Sequence, residues 1–121
     1  MTNTNLRKSE TSSGKIILAG KDAKSNEELI KQAEDNEYIL HTAKPGSPFV
    51  NIKGKPTKED LKGAAIFCVK YSQAWKKAKI KKDVEVHYFL RKDIFKNKLM
   101  KTGTFGVKKF NKIVVRKGEV I

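Results

Sequence analysis

The chain has 121 residues, enough for one domain that buries about 65% of its unfolded surface. A single cysteine, Cys68, excludes an internal disulfide and a thiolate zinc set, and no run nears the ~18 apolar residues of a membrane span. Lys and Arg number 27 against 13 Asp and Glu, a net charge of +14, which points to a polyanionic partner, most commonly nucleic acid.

Residues 1–13 are polar and aperiodic and read as a disordered lead-in, with the folded domain expected over 14–121. They lack the apolar centre of a secretory signal, so the expected location is cytoplasmic. KIILAG (15–20) reads as a short buried strand ending in glycine. Ser25, with Glu28 three residues later, has the spacing of a capping box, and Leu29, Ile30 and Ala33 supply an apolar side, predicting a helix over about 26–34. EYILHTA (37–43) and FVNIK (49–53) predict two strands around the loop HTAKPGSPFV. Pro45 and Gly46 suit the central positions of a type II turn, where the second residue needs positive φ, and Pro48 pushes Ser47 toward an extended conformation. The loop should therefore be rigid. Its directed amides, the Ser47 hydroxyl and flanking His41 and Lys44 form a candidate anion nest, with a strand-setting corner as the plainer reading.

Residues 57–79 predict the longest helix. Thr57 caps it, Glu59 and Asp60 suit the positive end of its dipole, and Leu61, Ala64, Ala65, Cys68, Tyr71, Ser72 and Trp75 recur at helical spacing. Lys62, Lys70 and Lys77 fall on the opposite side, a basic ridge, and Lys76 opens a second cluster over 76–82. Cys68 belongs to the apolar face as core filler. DVEVHYFL (83–90) alternates as a strand does, and GTFGVKKF with IVVRKG predicts a closing hairpin that turns near Asn111 and Lys112. The expected fold is α+β, a small, mostly antiparallel sheet packed against one long and one short helix.

Residues 57–121 carry eighteen basic and six acidic groups, and this surplus is expected to gather on one continuous patch. Only Arg7, Arg91 and Arg116 are arginines; lysine acts as a point charge where arginine reads base edges with a planar fork, so binding should be led by phosphates. Catalytic signals are missing. His41 and His87 lack metal-ligand spacing, Ser47 lacks the G-x-S-x-G context, and GKDAKSN lacks the second glycine and Lys-Ser/Thr ending of a P-loop. No catalytic residue, metal or cofactor is expected.

GKDAKSNEEL (20–29), HTAKPGSPFVNI (41–52), AA and YSQAW within 64–75, and TGTFGVKK (102–109) occur in the order found in the NFACT-R domain. The chain resembles that family over about residues 15–121, the RNA-binding module of NEMF-type, fibronectin-binding-protein-like factors of ribosome quality control. The resemblance implies an α+β domain that binds structured RNA, ribosomal RNA or tRNA, with the large ribosomal subunit as a partner. Gly20, Lys21 and Asn26 match the family's opening signature. His41, Gly46 and Ser47 match its histidine and loop, Tyr71, Ser72 and Trp75 its helix motif, and Gly103, Phe105 and Lys108 its closing segment. Pro48 stands where bacterial members commonly have histidine, and Asp22 and Glu27 also depart from the usual residues. The N-terminal domain and coiled-coil arms of full-length factors are absent from this sequence, so a stand-alone module is expected, without tail-adding activity and with room for a partner subunit that supplies that domain. Two rival readings are an adaptor docking on an acidic protein or RNA-modifying enzyme, and an RNA-processing enzyme built on His41 and Ser47. A membrane partner is not expected, because the charge is not carried on an isolated amphipathic helix.

Overall fold

The computed structural model describes residues 5–120. In chain order the elements are β1 (Arg7–Glu10), β2 (Ile16–Ala19), α1 (Ala23–Gln32), β3 (Tyr38–Thr42), β4 (Val50–Ile52), α2 (Lys58–Lys70), α3 (Gln73–Lys76), β5 (Val84–Leu90), β6 (Ile94–Phe95), β7 (Gly106–Val107) and β8 (Asn111–Val115). Six strands form one sheet in the order β1-β2-β4-β3-β5-β8, with every pairing antiparallel. The α+β expectation holds, and the two main helices lie on opposite faces of the sheet. Successive side chains of a strand point to opposite faces, so β3 serves both cores. Leu40 joins Val50, Ile52, Val86 and Val115 beneath Ala64, Ala65, Cys68 and Val69 of α2. Its neighbour Ile39 joins Phe49 and Phe89 beneath Leu29 and Ile30 of α1.

Asn51, fully buried on the α1 side, is satisfied there. Its Oδ1 accepts from Gln32 Nε2 at 2.8 Å, and its Nδ2 donates to the Tyr38 carbonyl at 3.2 Å. Such pairing is what makes a buried amide tolerable.

Four expectations need correction. Arg7–Glu10, assigned to the lead-in, is an edge strand in register with Ala19–Ile16, and Leu6 is buried; residues 1–4 lie outside the described residues. An edge strand gains its hydrogen bonds from one neighbour and can be polar throughout, so no apolar pattern announced it. The first helix begins at Ala23, because Asp22 and not Ser25 is the cap: Asp22 Oδ1 accepts from the Ser25 amide at 2.8 Å, and Ser25 Oγ accepts in return from the Asp22 amide at 3.0 Å. The 57–79 helix breaks at Tyr71. Buried Ser72 donates its hydroxyl to the Val69 carbonyl at 2.7 Å and accepts the Trp75 amide at 3.2 Å, capping a separate short helix. The closing hairpin does not form. β7 pairs with β6 in a separate two-stranded ribbon, whereas β8 crosses to pair with β5.

Thr57 caps α2 as expected. Its hydroxyl accepts the Asp60 amide at 3.1 Å while Asp60 Oδ2 accepts the Thr57 amide at 2.9 Å. Asp60 Oδ1 also accepts the Ser13 hydroxyl at 2.6 Å, tying the β1–β2 turn to α2; that bond and the Thr57 amide hold its carboxyl well below the usual range.

Candidate nucleic-acid interface

Four stretches distant in sequence converge on one cleft of about 620 Å³: residues 20–26, the 41–49 loop, Tyr71 to Lys76, and residues 102–105. Gly20 and Asn26 form its first wall. The Gly20 amide donates to the Phe49 carbonyl at 3.1 Å, and Asn26 Oδ1 accepts the Phe49 amide at 3.2 Å. A Cβ on Gly20 would lie 1.9 Å from Asn26 Oδ1, so glycine is what lets the amide reach Phe49.

Particular hydrogen bonds brace the loop. Gly46 has φ of +97°, and its carbonyl accepts the Gln73 amide at 2.8 Å, joining the loop to the start of α3. Ser47 Oγ accepts the Thr42 amide at 3.0 Å and donates to the Pro48 carbonyl at 3.1 Å, while Thr42 Oγ1 donates to the Lys44 carbonyl at 2.7 Å. The serine hydroxyl therefore works inside the loop. Cys68 Sγ lies 3.8 Å from Ser47 Oγ, and burial pushes its thiol up to about 12, which leaves it unreactive.

His41 stacks obliquely on Phe49 with ring centroids 4.4 Å apart and bonds the Thr42 carbonyl through Nδ1 at 2.7 Å. Burial lowers its pKa from the usual histidine value, so at neutral pH it is an uncharged ring. Because the folded chain binds this proton less well than the unfolded chain, the stability it contributes is complete above about pH 6.5 and is lost as pH falls below that. We expect the thermal midpoint to fall between about pH 7.5 and 5, and His41→Phe to flatten that stretch of the curve. Melts with parallel pH dependence in the two proteins would contradict this.

The cations at the mouth surround one ring. The Arg7 guanidinium lies 4.2 Å from the Tyr71 centroid and donates to the Gly20 carbonyl at 3.2 Å; Lys76 Nζ and Lys70 Nζ lie 5.5 Å and 5.9 Å from the same centroid. Lys21 also lines the cleft. Asp22, the acid among the lining residues, has its carboxylate engaged by the Ser25 amide, which lowers its pKa. Phe105 packs edge-on against Phe49 at 5.4 Å and sits under Lys96 Nζ at 4.6 Å. Lys96 also donates to Glu27 Oε2 and to the Lys101 and Thr104 carbonyls, and Glu27 accepts the Gly103 amide at 2.6 Å. This network pins the lysine-rich 96–104 loop against α1. Burial opposes ionisation of Glu27, but the bonds from Lys96 and Gly103 outweigh it and lower its pKa.

Of the residues singled out in the sequence, Lys21, Asn26, His41, Gly46, Ser47 and Lys76 line the cleft, and Lys70 stands at its rim beside Tyr71. Lys44 faces an adjoining apolar groove of about 550 Å³ with Ala74 and Ile80. Lys62 lies at the β8 edge, bonded to the Val114 carbonyl and Glu119 Oε1, each at 3.0 Å. Lys77 and Lys108 are exposed elsewhere. Of the lysines expected on one basic patch, Lys62 is thus held in an ion pair at the β8 edge, and Lys77 and Lys108 lie outside the cleft lining. Sequence reasoning missed Arg7, for which the one clue was Leu6, the sole apolar residue between positions 2 and 15. Among the described residues no cluster of three His, Cys, Asp or Glu could hold a metal, and no helix is long and apolar enough to cross a membrane.

Residues 5–109 match the model of a family described as the NFACT protein RNA binding domain. An archaeal Rqc2 homolog, aRqcH, of Methanocaldococcus jannaschii is 42% identical over 67 residues, which is 52% of this chain and 10% of that protein. The C-terminal part of a fibronectin/fibrinogen-binding protein from Streptococcus suis superposes with a TM-score of 0.84 at 21% identity, over 99% of this chain and 49% of the solved one. At that identity the likeness concerns the fold.

Proposed function

This chain belongs to the NFACT RNA-binding domain family, and from that premise we propose that it is a non-catalytic module that holds structured RNA, ribosomal RNA or tRNA, by its phosphates. The observation that carries the reading is the grouping of Arg7, Lys70 and Lys76, from three elements, about the Tyr71 ring at the mouth of the cleft. Cations held beside an aromatic face suit a backbone phosphate with a base or sugar next to it. Asn26, Gly46 and Ser47 shape the cleft, and Lys21 with the Tyr71 group supplies its charge. No catalytic step is assigned: the Ser47 hydroxyl serves the loop, and His41 is bonded to a backbone carbonyl.

The resemblance to an archaeal Rqc2 homolog supports a place in ribosome quality control, on or near the large ribosomal subunit in the cytoplasm. The match covers a tenth of that relative, so the proposal concerns the RNA-binding module alone and carries over nothing of the rest of that protein.

The test is a fluorescence-anisotropy titration of a tRNA and a ribosomal stem-loop at stepped salt concentrations. If about five phosphates are neutralised, log affinity falls with log salt at a slope of roughly −3.5 to −4.5. Affinity unchanged between dilute and physiological salt would overturn the reading. Pull-downs of an acidic protein that survive nuclease, without RNA affinity of the pure chain, would assign the adaptor role instead.

A further inference from the structure

The α1-side face of the sheet is only partly covered. α1 packs over β2 and β4, and on the far edge of that face Lys112 and Val114 of β8 are exposed. The strand register sets His41, His87 and Lys112 side by side in one row across β3, β5 and β8, with Glu85 beside Val114 in the next. Phe110, just before β8, lays its ring on the His87 imidazole with centroids 3.9 Å apart and planes 17° apart. The residue is nonetheless 46% exposed, which leaves room for a further ring beside it. A phenylalanine at this exposure is one of few large apolar side chains outside the two cores.

From this geometry we infer a stacking site for an unpaired nucleobase on Phe110, fed by an RNA strand that leaves the cleft past His41. This inference rests on the RNA-binding reading of the cleft and adds the class of RNA bound, one with unpaired bases beside its structured part. The platform is preformed. Glu85 Oε2 accepts His87 Nε2–H at 2.8 Å, which fixes the imidazole plane and lowers the Glu85 pKa. Exposed Lys109 lines the same hollow as Phe110, exposed Lys112 lies opposite His87 in the register, and Glu85, the acid in these rows, is already bonded to His87. Asp93, half-buried, shares a hollow with Lys109 and Phe110 and is the other acid nearby.

Two features favour a base over an apolar protein segment. Tyr38, Phe89 and Leu90 line the hollow beside Phe110, but none of them is exposed, and the exposed neighbours are Lys109, Asn111 and Lys112, whereas a protein hot spot needs a well-packed apolar surround. His41 lines the cleft, and Lys112 lies two strand spacings away, about 10 Å, so one RNA strand can touch both. Stacking on an aromatic side chain accepts any base, because every base has a π-face.

The experiment compares a blunt RNA hairpin with the same hairpin carrying a short adenosine tail that contains the fluorescent analogue 2-aminopurine. The parent protein should bind the tailed RNA about tenfold more tightly and quench its fluorescence. Phe110→Ala, a change at an exposed position, should lose both the preference and the quenching while keeping its affinity for the blunt hairpin, and Phe110→Trp should retain all three. Phe110→Ala behaving as the parent on both RNAs would overturn the inference and leave the cleft reading standing. Failure of the parent to bind either hairpin would sink both. Loss of a protein partner in Phe110→Ala, with RNA binding and quenching unchanged, would overturn the base site in favour of a protein contact.

Discussion

Gly20→Ala is expected to lower the thermal midpoint by about 10 °C, the consequence of losing roughly 2–3 kcal/mol in a domain of this size. The added methyl would arrive 1.9 Å from Asn26 Oδ1 and 2.8 Å from its Cγ, so the amide must swing away. When it does, the Phe49 amide loses its partner, and Phe49 is the ring on which both His41 and Phe105 rest. A donor left unpaired away from water costs more than the bond itself was worth. The control is the same substitution in an Asn26→Ala background. There the side-chain amide is gone and only the Asn26 Cα, 3.2 Å from the new methyl, still crowds it, so adding Gly20→Ala should cost much less than in the parent; the two changes are strongly coupled. Additive losses would mean that Gly20 is needed for something other than room for Asn26.

The second large effect concerns RNA. Replacing both Arg7 and Lys76 by Glu should weaken binding of tRNA or a ribosomal stem-loop by about 100-fold at physiological salt, taking each lost contact as roughly tenfold. The salt slope should become shallower by about 2, one for each phosphate no longer neutralised. All RNAs should be weakened alike, since these cations contact the backbone and carry no sequence information. Lys62→Met provides the comparison. It also removes a positive charge, but its ammonium is paired with Glu119 at the opposite sheet edge, so affinity should stay within about twofold. The double replacement changes the net charge by four units and Lys62→Met by one, so a Lys62→Met loss of about a quarter of the double variant's on a logarithmic scale, roughly threefold, would show that only net charge matters and that the Tyr71 cluster has no special standing. Thermal melts of all variants separate this from unfolding.

Arg7 also illustrates what a linear reading misses. Its neighbours Lys8, Ser9 and Glu10 carry no apolar alternation, so the segment looked like a solvated tail, yet its backbone bonds to β2 and its guanidinium reaches across to α2's end. Ser47 is a second case. Its type and position suggested a hydroxyl aimed at a ligand; folding turns it toward the Thr42 amide, where a backbone donor would otherwise lack a partner.

What the amino-acid order determined by itself was whatever depends on neighbours a few positions apart: the helical spacing beneath α2, the Thr57 cap and its reciprocal Asp60 bond, the extended course of β5, the positive φ at Gly46 and the excess of cationic charge. Each is decided by sterics or hydrogen bonds within about one turn or one pleat, and composition needs no geometry at all. Tertiary structure alone decided that β8 pairs with β5 instead of closing a hairpin, that an edge strand brings Arg7 to Tyr71, and that four separated stretches share one cleft. Those outcomes turn on contacts between residues dozens of positions apart, whose energies depend on how the whole sheet closes and leave no periodic trace in the local chain.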